Sequence, residues 1–467
     1  MASGSSLGSI FKAYDVRGVV PEELDARRAY AIGAAFAAFA AAQEEARRVL
    51  VAHDMRTSGV MLSRALIAGA ASTGADVVDL GLASTDMSYF ASGHLGAPAA
   101  MLTASHNPPE YNGVKLSLSG AHPIGAESGL VEIRRLAEEA LASAPADGAV
   151  DSVAGNPRVE RQDLLEQFAA HVRSFVDASR LAPLKIVADA ANGMGGLVAP
   201  RVFSGLPVQL EMLYGELDGT FPNHPADPIQ PANLVDLQAR IRATGADVGL
   251  AFDGDADRVF LVDDLGAPVS GSTTTAIVAE AMLERHPGAT VLYNCICSHA
   301  VREVIAEHGG KGVRTRVGHS FIKQVMAETG AVFGGEHSGH YYFRENFRAD
   351  SGIIAAVVVL EVLSRAKVPL SELRKPYERY ADSGEVNSEV ADPAGVVKAV
   401  AARYGEAGAS IDWLDGLTAE LDDWWFNLRP SNTEPLLRLN VEAKDAASLA
   451  THLDELRREI AQASAPA

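Results

Sequence analysis

Ser105 is the first residue in this sequence that could do chemistry, because it lies in a short turn beside other reactive side chains. Residues 103–109 read Thr-Ala-Ser-His-Asn-Pro-Pro, so two prolines stiffen the turn after the serine. His106 follows directly, and Lys115 lies ten residues after Ser105. A serine in such a turn could carry a phosphoryl group. Because a phosphoserine has about −1.5 to −2 charges near neutral pH, such a site needs a cation opposite it.

Two other interpretations compete for Ser105. The same string suits a helix N-cap or an Asx-Pro turn with no chemical role. The following segment 111–115, Tyr-Asn-Gly-Val-Lys, favours chemistry, because a structural turn has no use for the lysine that it brings close. A serine hydrolase is disfavoured, because Ser105 does not lie in the Gly-x-Ser-x-Gly elbow of that class.

Residues 253–258 read Asp-Gly-Asp-Ala-Asp-Arg and form a second reactive group. The three carboxylates alternate along the chain, so in a near-extended segment they leave the same side, and a slight curl converges them on one hard cation. Magnesium fits best. Three carboxylates leave coordination sites open, one of which an oxygen of a phosphorylated serine could fill. The predicted metal ligands are therefore Ser105, Asp253, Asp255 and Asp257.

A solvated acidic turn and an EF-hand are the alternatives for this loop. Asp264 falls at the twelfth position of an EF-hand loop that would start at Asp253. However, Arg258 occupies the position where that loop needs glycine, and both flanking segments are strand-like rather than helical. The sequence therefore favours a magnesium loop between two strands.

Two further loops offer polar groups that could bind a ligand. Residues 335–340 read Gly-Glu-His-Ser-Gly-His, and residues 429–435 read Arg-Pro-Ser-Asn-Thr-Glu-Pro. In the first loop a carboxylate and a hydroxyl suit the paired hydroxyl groups of a ligand, although a polar turn is the alternative. In the second, a guanidinium with hydroxyl and amide donors could grip a phosphate that does not react, although a loop between strands is the alternative.

The elements that must position these loops follow from hydrophobic periodicity. Short β-branched runs alternate with longer Ala-rich and Leu-rich stretches at helical spacing, which is typical of βαβ units. The apolar run 29–42 has 14 residues, fewer than the roughly 20 that span a bilayer, and predicts a buried helix. The predicted strands include residues 49–53, 77–80, 185–189, 246–252, 259–262, 424–426 and 436–439.

Composition sets the number of domains and excludes some partners. A chain of 467 residues is too long for one core, so three or four domains are expected. Shifts in composition at residues 144–155, 264–271 and 366–376 mark the breaks. Sixty acidic and forty basic residues give a net charge of −20, which argues against nucleic acid or an anionic membrane as a partner. Because this charge repels an anionic substrate, the cations that bind it are expected together in one cleft, and they are Arg17, Lys115, Arg258 and Arg429.

The two cysteines and the first residues predict a reduced, cytoplasmic protein. Cys295 and Cys297 are too few for a zinc cage and poorly spaced to pair with each other. Residues 1–10 are rich in Gly and Ser and lack the basic and apolar regions of a secretory signal.

The loops at 103–109, 253–258, 335–340 and 429–435 together resemble the phosphoserine, metal, sugar and phosphate loops of the α-D-phosphohexomutase family, in the family's order. The resemblance spans nearly the whole chain and is closest to the bacterial phosphomannomutase/phosphoglucomutase branch. It implies three similar mixed-sheet α/β domains plus a smaller C-terminal α+β domain around a central cleft. The expected domains are residues 1–152, 153–265, 266–372 and 373–467.

The resemblance also implies a mechanism. Because C1 and C6 of a hexose are too far apart for direct migration, a phosphorylated Ser105 would give its phosphoryl group to a hexose 1- or 6-phosphate. The hexose 1,6-bisphosphate formed would turn around and return its other phosphate. Mannose and glucose phosphates are the expected substrates. A phosphoglucosamine mutase and a non-catalytic sugar-phosphate-binding protein of the same fold are the alternatives.

The resemblance assigns roles to individual residues. One Mg²⁺ per chain and the hexose 1,6-bisphosphate are the expected cofactors, and the protein is expected to be a monomer or homodimer. The segment 11–18, Phe-Lys-Ala-Tyr-Asp-Val-Arg-Gly, resembles the opening segment of the family, whose Tyr and Arg face the cleft. The expected catalytic residues are Ser105, His106, Lys115 and Arg258. The expected substrate-binding residues are Tyr14, Arg17, His319, Glu336, Ser338, His340, Arg429, Ser431, Asn432 and Thr433.

One segment departs from the family pattern. Residues 293–299 read Tyr-Asn-Cys-Ile-Cys-Ser-His, where related mutases often carry a lysine near the substrate. Phosphate contacts from the third domain are therefore not expected at this segment.

Overall fold

The structure, a computed structural model, describes residues 7–430 and 436–464. Within these residues the chain forms two compact units. The first contains the chain up to Val269 together with Ser338–Glu372. The second contains Ser270–His337 and the chain from Leu373 onward.

The first unit begins with a mixed seven-stranded sheet in the order β1-β5-β4-β2-β3-β7, with β6 paired to β5. The strands are β1 (Val16–Val19), β2 (Arg48–His53), β3 (Asp76–Leu82), β4 (Ala99–Leu102), β5 (Tyr111–Leu118), β6 (His122–Pro123) and β7 (Val159–Arg161). Strand β5 is antiparallel to both of its main neighbours, whereas β4, β2, β3 and β7 are parallel. The carboxyl ends of the parallel strands therefore meet at one edge.

Helices cover this sheet and bury its apolar side chains. They are α1 (Ala26–Glu44), α2 (Gly59–Ser72), α3 (Thr85–Leu95) and α4 (Leu130–Leu141). Phe36, Leu66 and Ile133, from α1, α2 and α4, share one fully buried core with sheet residues such as Val51. Helix α1 begins where Asp25 accepts a hydrogen bond from the amide of Arg28, which satisfies a free helix amide. The buried helix predicted from residues 29–42 is confirmed.

A second mixed sheet of the first unit has the order β12-β11-β10-β8-β9. Its strands are β8 (Lys185–Asp189), β9 (Gln209–Leu213), β10 (Val248–Phe252), β11 (Val259–Asp263) and β12 (Pro268–Val269). The helices around it are α5 (Leu165–Arg173), α6 (Gly195–Phe203) and α7 (Val235–Thr244). Strands β10 and β11 are antiparallel neighbours, so the acidic segment 253–258 is the hairpin connection between them, as predicted.

The second unit contains a parallel sheet in the order β14-β13-β15. In chain order its elements are α8 (Gly271–Arg285), β13 (Thr290–Asn294), α9 (His299–Glu307), β14 (Lys311–Thr315), α10 (His319–Thr329) and β15 (Phe333–Gly335). The chain then returns to the first unit with β16 (Tyr341–Phe343) and α11 (Gly352–Ala366). The short helix α12 (Leu370–Leu373) follows.

The rest of the second unit is an antiparallel sheet with two helices. The sheet order is β17-β21-β20-β19-β18. The elements are β17 (Ala381–Glu389), α13 (Pro393–Glu406), β18 (Ser410–Asp412), β19 (Leu417–Glu420), β20 (Trp424–Pro430), β21 (Leu436–Ala443) and α14 (Ala446–Ala463). Val400 of α13 and Leu456 of α14 are buried in one core with Phe426 and Leu439 of the sheet.

The predicted fold class is confirmed: three α/β portions precede a C-terminal α+β portion. The residue boundaries of the four expected domains stay predictions, as do the oligomeric state and the cytoplasmic setting. Among the described helices, none is both long enough and apolar enough to cross a membrane.

Candidate active site

Ser105 lies in a buried turn between β4 and β5, and its hydroxyl points at the acidic hairpin. Its Oγ donates a hydrogen bond of 2.8 Å to Oδ2 of Asp253. Its amide donates to Oγ1 of Thr103 at 2.9 Å. The backbone of Ser105 has φ 49°, in the left-handed region that non-glycine residues rarely adopt. A strained serine held by its neighbours is typical of a functional turn.

Arg56 holds this turn in place and was not identified from the sequence. Its side chain is buried, with 2% of its surface exposed. The guanidinium donates hydrogen bonds of 2.7 to 2.9 Å to four backbone carbonyls of the Ser105 turn, those of Ser105, Asn107, Pro108 and Tyr111. One rigid planar group thus fixes the path of the chain on both sides of the serine.

Asp54 balances the charge of Arg56. One carboxylate oxygen lies 3.3 Å from Nε of Arg56, and the other accepts the Arg56 amide at 3.0 Å. Burial raises the pKa of Asp54, and the adjacent guanidinium opposes that shift. The sequence signal was an Asp-x-Arg directly after a buried strand. Since β2 and β4 are parallel neighbours, this segment ends at the same sheet edge as the Ser105 turn.

The acidic hairpin brings its three carboxylates together, as the spacing predicted. Asp253, Asp255 and Asp257 are buried, and one oxygen of each lies within 4.8 Å of the others. Nζ of Lys115 lies 2.7 Å from Oδ2 of Asp255 and 2.7 Å from Oδ2 of Asp257. Thr85, at the start of α3, donates to Asp255 at 2.6 Å and was not identified from the sequence.

Gly254 explains how the two loops approach so closely. A Cβ atom at this position would lie 2.4 Å from the carbonyl oxygen of Ser105, which is too short for any real contact. Only glycine therefore lets the acidic hairpin reach the serine turn.

The three carboxyl groups of the acidic hairpin have pKa values that are shifted in different directions. Burial alone would raise the pKa of Asp255, but the Lys115 ammonium and the Thr85 hydroxyl hold it well below its usual range. Burial and the neighbouring carboxylates raise the pKa of Asp253, against the effect of Arg258. Burial also raises the pKa of Asp257, and the charge of Asp255 adds to it.

Arg258 links the hairpin to His106. Its Nε donates to Oδ2 of Asp253 at 2.8 Å, and its Nη2 donates to Nδ1 of His106 at 2.6 Å. Burial lowers the pKa of His106, and the charges of Arg258 and Arg17 lower it further. The His106 imidazole is therefore neutral, and its Nδ1 lone pair is already in use.

Arg17 and Tyr14 lie in the N-terminal part of the first unit. Nη1 of Arg17 donates to the carbonyl of Ala104 at 3.3 Å and to the side chain of Asn107, and Nη2 pairs with Asp15. Arg17 therefore reaches the Ser105 turn. Tyr14 is half-buried and lies three residues before Arg17. Its substrate-binding role stays a prediction.

His340 and Ser338 are also in the first unit. Oγ of Ser338 lies 2.9 Å from Nδ1 of His340, and Nε2 of His340 lies 3.8 Å from Oδ1 of Asp257. Asp350 joins His340 and Asp257 in a compact group of ligand atoms. The structure therefore places His340 beside the acidic hairpin.

Glu336 and Arg429 belong to the second unit. Oε1 of Glu336 accepts from Nδ2 of Asn294 at 3.1 Å and from the amide of Gly318 at 3.2 Å. The guanidinium of Arg429 donates to Glu385 at 2.7 Å and also to the side chains of Asn427 and Asn440. Both are therefore held by polar partners of their own unit.

Three of the four cations expected together lie around the Ser105 turn: Arg17, Lys115 and Arg258. Arg429, the fourth, is in the other unit. His319 is the first residue of α10. The predicted phosphate-loop residues Ser431, Asn432 and Thr433 lie outside the described residues.

In the segment 293–299, which departs from the family pattern, Asn294 supplies a side-chain amide. Asn294 donates to Glu336, as given above. Cys295 and Cys297 are buried thiols, and burial raises the pKa of Cys295 to about 12, so it does not behave as a reactive thiolate.

The EF-hand alternative is excluded, because strands flank the hairpin and Asp264 has another partner. The carboxylate of Asp264 accepts the amide of Ser371 at 2.8 Å and its hydroxyl at 3.0 Å. It therefore helps to start α12.

The acidic hairpin fits a divalent cation on two observations. Oδ1 of Asp255 and Oδ1 of Asp257 are buried and receive no hydrogen bond from any residue that the structure describes. Among the described residues, the lysine and arginine side chains that pair with these three carboxylates are two, Lys115 and Arg258. All three ligands offer oxygen, which is the donor that Mg²⁺ prefers.

Four segments of the chain match the domains of one protein family. They match the descriptions "Phosphoglucomutase/phosphomannomutase, alpha/beta/alpha domain I" at residues 8–142, domain II at 163–266, domain III at 270–380 and "C-terminal domain" at 385–459.

The chain is also similar to whole proteins of this kind. The "Phosphohexose mutases" protein of Xanthomonas campestris pv. campestris is 39% identical over 449 residues, which cover 96% of this chain and 98% of that protein. The "Phosphomannomutase/phosphoglucomutase" of Pseudomonas putida is 36% identical over 458 residues, which cover 97% and 95%. A crystal structure of a phosphoglucomutase/phosphomannomutase family protein from Burkholderia thailandensis matches with a TM-score of 0.88 and 34% identity, covering 100% of this chain and 99% of that one. The chain therefore belongs to the phosphoglucomutase/phosphomannomutase family, whose members are isomerases, as its loops predicted.

Proposed function

We propose that this protein interconverts hexose 1-phosphates and hexose 6-phosphates, with Ser105 as the phosphoryl carrier and mannose and glucose as the sugars. The observation that carries the proposal is the hydrogen bond from Ser105 Oγ to Asp253, within a buried group that also holds Lys115 and Arg258. The names of relatives that match nearly the whole chain support the same reaction.

The reaction consists of two phosphoryl transfers. In the first, the free hydroxyl oxygen of a hexose phosphate attacks the phosphorus of phosphorylated Ser105. The bond between phosphorus and Ser105 Oγ breaks, and a hexose 1,6-bisphosphate forms. After the sugar has turned around, Ser105 Oγ attacks its other phosphate, so the phosphoserine is regenerated and the isomeric hexose phosphate leaves.

The cationic side chains around Ser105 have separate tasks. Arg258 and Lys115 place positive charge where the transferring phosphoryl oxygens would lie. The proton of the attacking sugar hydroxyl goes to a nearby imidazole, because the Lys115 ammonium already carries its full set of protons. Because Arg258 occupies Nδ1 of His106, His340 is the better placed of the two imidazoles.

Asp253, Asp255, Asp257 and an oxygen of phosphorylated Ser105 would hold one Mg²⁺. When bound, the cation supplies positive charge beside the phosphoryl oxygens. The chain's own part is to keep the three carboxylates converged, which Lys115 and Thr85 do through Asp255. The bisphosphate would serve both as intermediate and as the activator that first phosphorylates Ser105.

Replacing Ser105 by alanine tests this proposal. Turnover of hexose 1-phosphate should fall by at least about 10³-fold, because the phosphoryl carrier is gone, while the fold and substrate binding stay largely intact. Ser143→Ala, at an exposed serine, is the matched control and should keep full turnover. Substantial residual turnover in Ser105→Ala, at equal thermal stability, would show that another group carries the phosphoryl.

A further inference from the structure

A cavity of about 220 Å³ lies in the first unit, and none of its lining residues belongs to the group around Ser105. By the measure of about 30 Å³ for one water molecule, it has room for a small metabolite. The lining side chains that matter for its chemistry are His53, Val60, Arg64, Asp79, Leu82 and Arg161.

The cavity has the position of a ligand site in an α/β sheet. His53, Leu82 and Arg161 are the last residues of the parallel strands β2, β3 and β7. Val60 and Arg64 are on the first two turns of α2, whose N-cap residue Ser58 makes no side-chain capping bond. Open α/β sheets bind ligands outside the carboxyl ends of their strands, where helix amides also favour anions.

The charges of the cavity favour an anion. The guanidinium groups of Arg64 and Arg161 make no hydrogen bond or ion pair with any residue in the described part of the chain. The acid in the lining, Asp79, accepts the amide of Gly81 at 2.9 Å. Both arginine side chains are exposed, and the planar forks of their guanidinium groups suit phosphate.

His53 adds an imidazole to the lining. It is 9% exposed, and its Nδ1 lies 2.8 Å from the carbonyl oxygen of Asp54. Because a carbonyl only accepts, Nδ1 carries the hydrogen, and the tautomer with its hydrogen on Nδ1 presents a lone pair at Nε2. No described residue donates to Nε2, so it can accept a hydrogen bond from a ligand hydroxyl.

Apolar side chains complete the cavity. Val60 and Leu82 are 49% and 41% exposed, which is high for residues of their size. They offer a surface on which a short carbon skeleton could lie.

We propose that this cavity binds a small phosphomonoester that bears a hydroxyl group. The phosphate lies against Arg64 and Arg161, the hydroxyl donates to Nε2 of His53, and the carbon skeleton rests on Val60 and Leu82. The site is additional to the one proposed for the mutase reaction and does not depend on it.

Binding of radiolabelled glycerol 3-phosphate, which combines a phosphate with hydroxyls, tests the proposal by equilibrium dialysis. The parent should show a saturable class of sites that weakens by about tenfold or more in the Arg64→Ser/Arg161→Ser double variant, because two charged hydrogen-bond donors are lost. Arg47→Ser/Arg48→Ser removes the same charge at the opposite end of β2 and is the matched control; it should bind as the parent does.

Two further measurements separate this cavity from the Ser105 site. Mutase turnover should be the same in parent, double variant and control, because none of the altered residues contacts the Ser105 group. Leu82→Glu, at the exposed rim, should repel phosphate and lose the same class of sites. Equal binding in all variants would overturn the proposal, since the probe would then bind elsewhere. Binding of glycerate as tight as that of glycerol 3-phosphate would also overturn it, since the site would not select phosphate.

Discussion

Arg56 and Ser105 show how one buried side chain can orient a reactive one. The serine turn has no regular secondary structure, and the four carbonyls that Arg56 contacts span seven residues of the chain, 105–111. Without the guanidinium these buried carbonyls would lose their partners, which is costly in a dry environment. Arg56 is therefore a positioning residue that acts through the Ser105 turn.

Arg56→Lys should lower kcat by about 10²-fold with little change in KM. A lysine keeps the positive charge opposite Asp54 but lacks the planar fork that contacts the four carbonyls of the serine turn. Ser105 would then be displaced, and a small displacement of a reacting group lowers the rate by about 10²-fold. Steady-state kinetics and thermal unfolding are measured for the parent and the variant. Arg158→Lys, at an exposed ion pair with Asp76, should change neither quantity. If the loss of kcat equals the loss of folded protein, Arg56 has only a structural role.

Residue types and spacing identified a group of side chains that lie together in the structure, because their chemistry can be read from the side chains themselves. Ser105, Lys115, Arg258 and the aspartates of the hairpin were all found in this way, and the structure brings them together. Arg56 and Thr85 were not identified from the sequence, because their role depends on which backbone or side-chain atoms they contact in the folded protein. A short motif shows which residue types lie close together along the chain. It does not show which segments that are distant in sequence come into contact.

At the scale of elements, the first turn of α3 connects the site to the rest of the first unit. Thr85 contacts Asp255 through its hydroxyl and its amide. The next residue, Asp86, is fully buried and accepts from the hydroxyl of Ser351, at the start of α11, at 2.7 Å. A buried carboxyl thus joins two helix starts beside the acidic hairpin.

Asp86 should make the stability of the protein depend on pH. Burial raises its pKa from 3.8 to about 7, against the hydrogen bonds from Ser84 and Ser351. Between these values the folded protein keeps a proton that the unfolded chain has released, so stability falls as pH rises from about 4 to 7, by at most about 4 kcal/mol.

The variant Asp86→Asn, which cannot ionise, should lack this part of the slope. Urea unfolding of parent and variant at several pH values between 4 and 8 measures the difference. Asp422→Asn, at an exposed carboxyl, should keep the slope of the parent. Identical slopes for the parent and Asp86→Asn would show that Asp86 is ionised at no cost in the folded protein.

Long elements were predictable from the sequence and short ones were not. The run Lys185–Asp189 was predicted with both of its ends, because a β-branched run between polar residues has a clear boundary. Strands β6 and β12 have two residues each, and their pairing depends on neighbours that no local pattern reveals. Helix α1 was predicted from its apolar centre. The helix extends beyond the predicted run at both ends, because polar residues continue it.

At the scale of the whole molecule, an acidic protein concentrates its cations where an anion reacts. Net charge is −20, yet Arg17, Lys115 and Arg258 all lie at the Ser105 turn or the acidic hairpin. The long-range field repels a sugar phosphate, so binding depends on these local groups. We expect such groups to bind phosphate without distinguishing one sugar from another.

Mannose 1-phosphate and glucose 1-phosphate should therefore have similar kcat/KM values, with glucosamine 1-phosphate a much poorer substrate. The two hexoses differ only at C2, and a site that ignores the configuration there discriminates them weakly. Side-by-side kinetics with the three sugars make the comparison. A preference of about 10³-fold for glucosamine 1-phosphate would place the protein with phosphoglucosamine mutases and leave the chemistry at Ser105 as proposed.

Transfer of the phosphoryl group from Ser105 to sugar is the central step of the proposed reaction. Protein phosphorylated with ³²P is mixed with a molar excess of unlabelled glucose 1-phosphate, quenched within one turnover and separated into protein and sugar. If Ser105 is the phosphoryl carrier, label leaves a peptide containing Ser105 and appears in hexose bisphosphate before it appears in glucose 6-phosphate. Label that stays on the protein during turnover, or that leaves only as inorganic phosphate, would contradict the proposal.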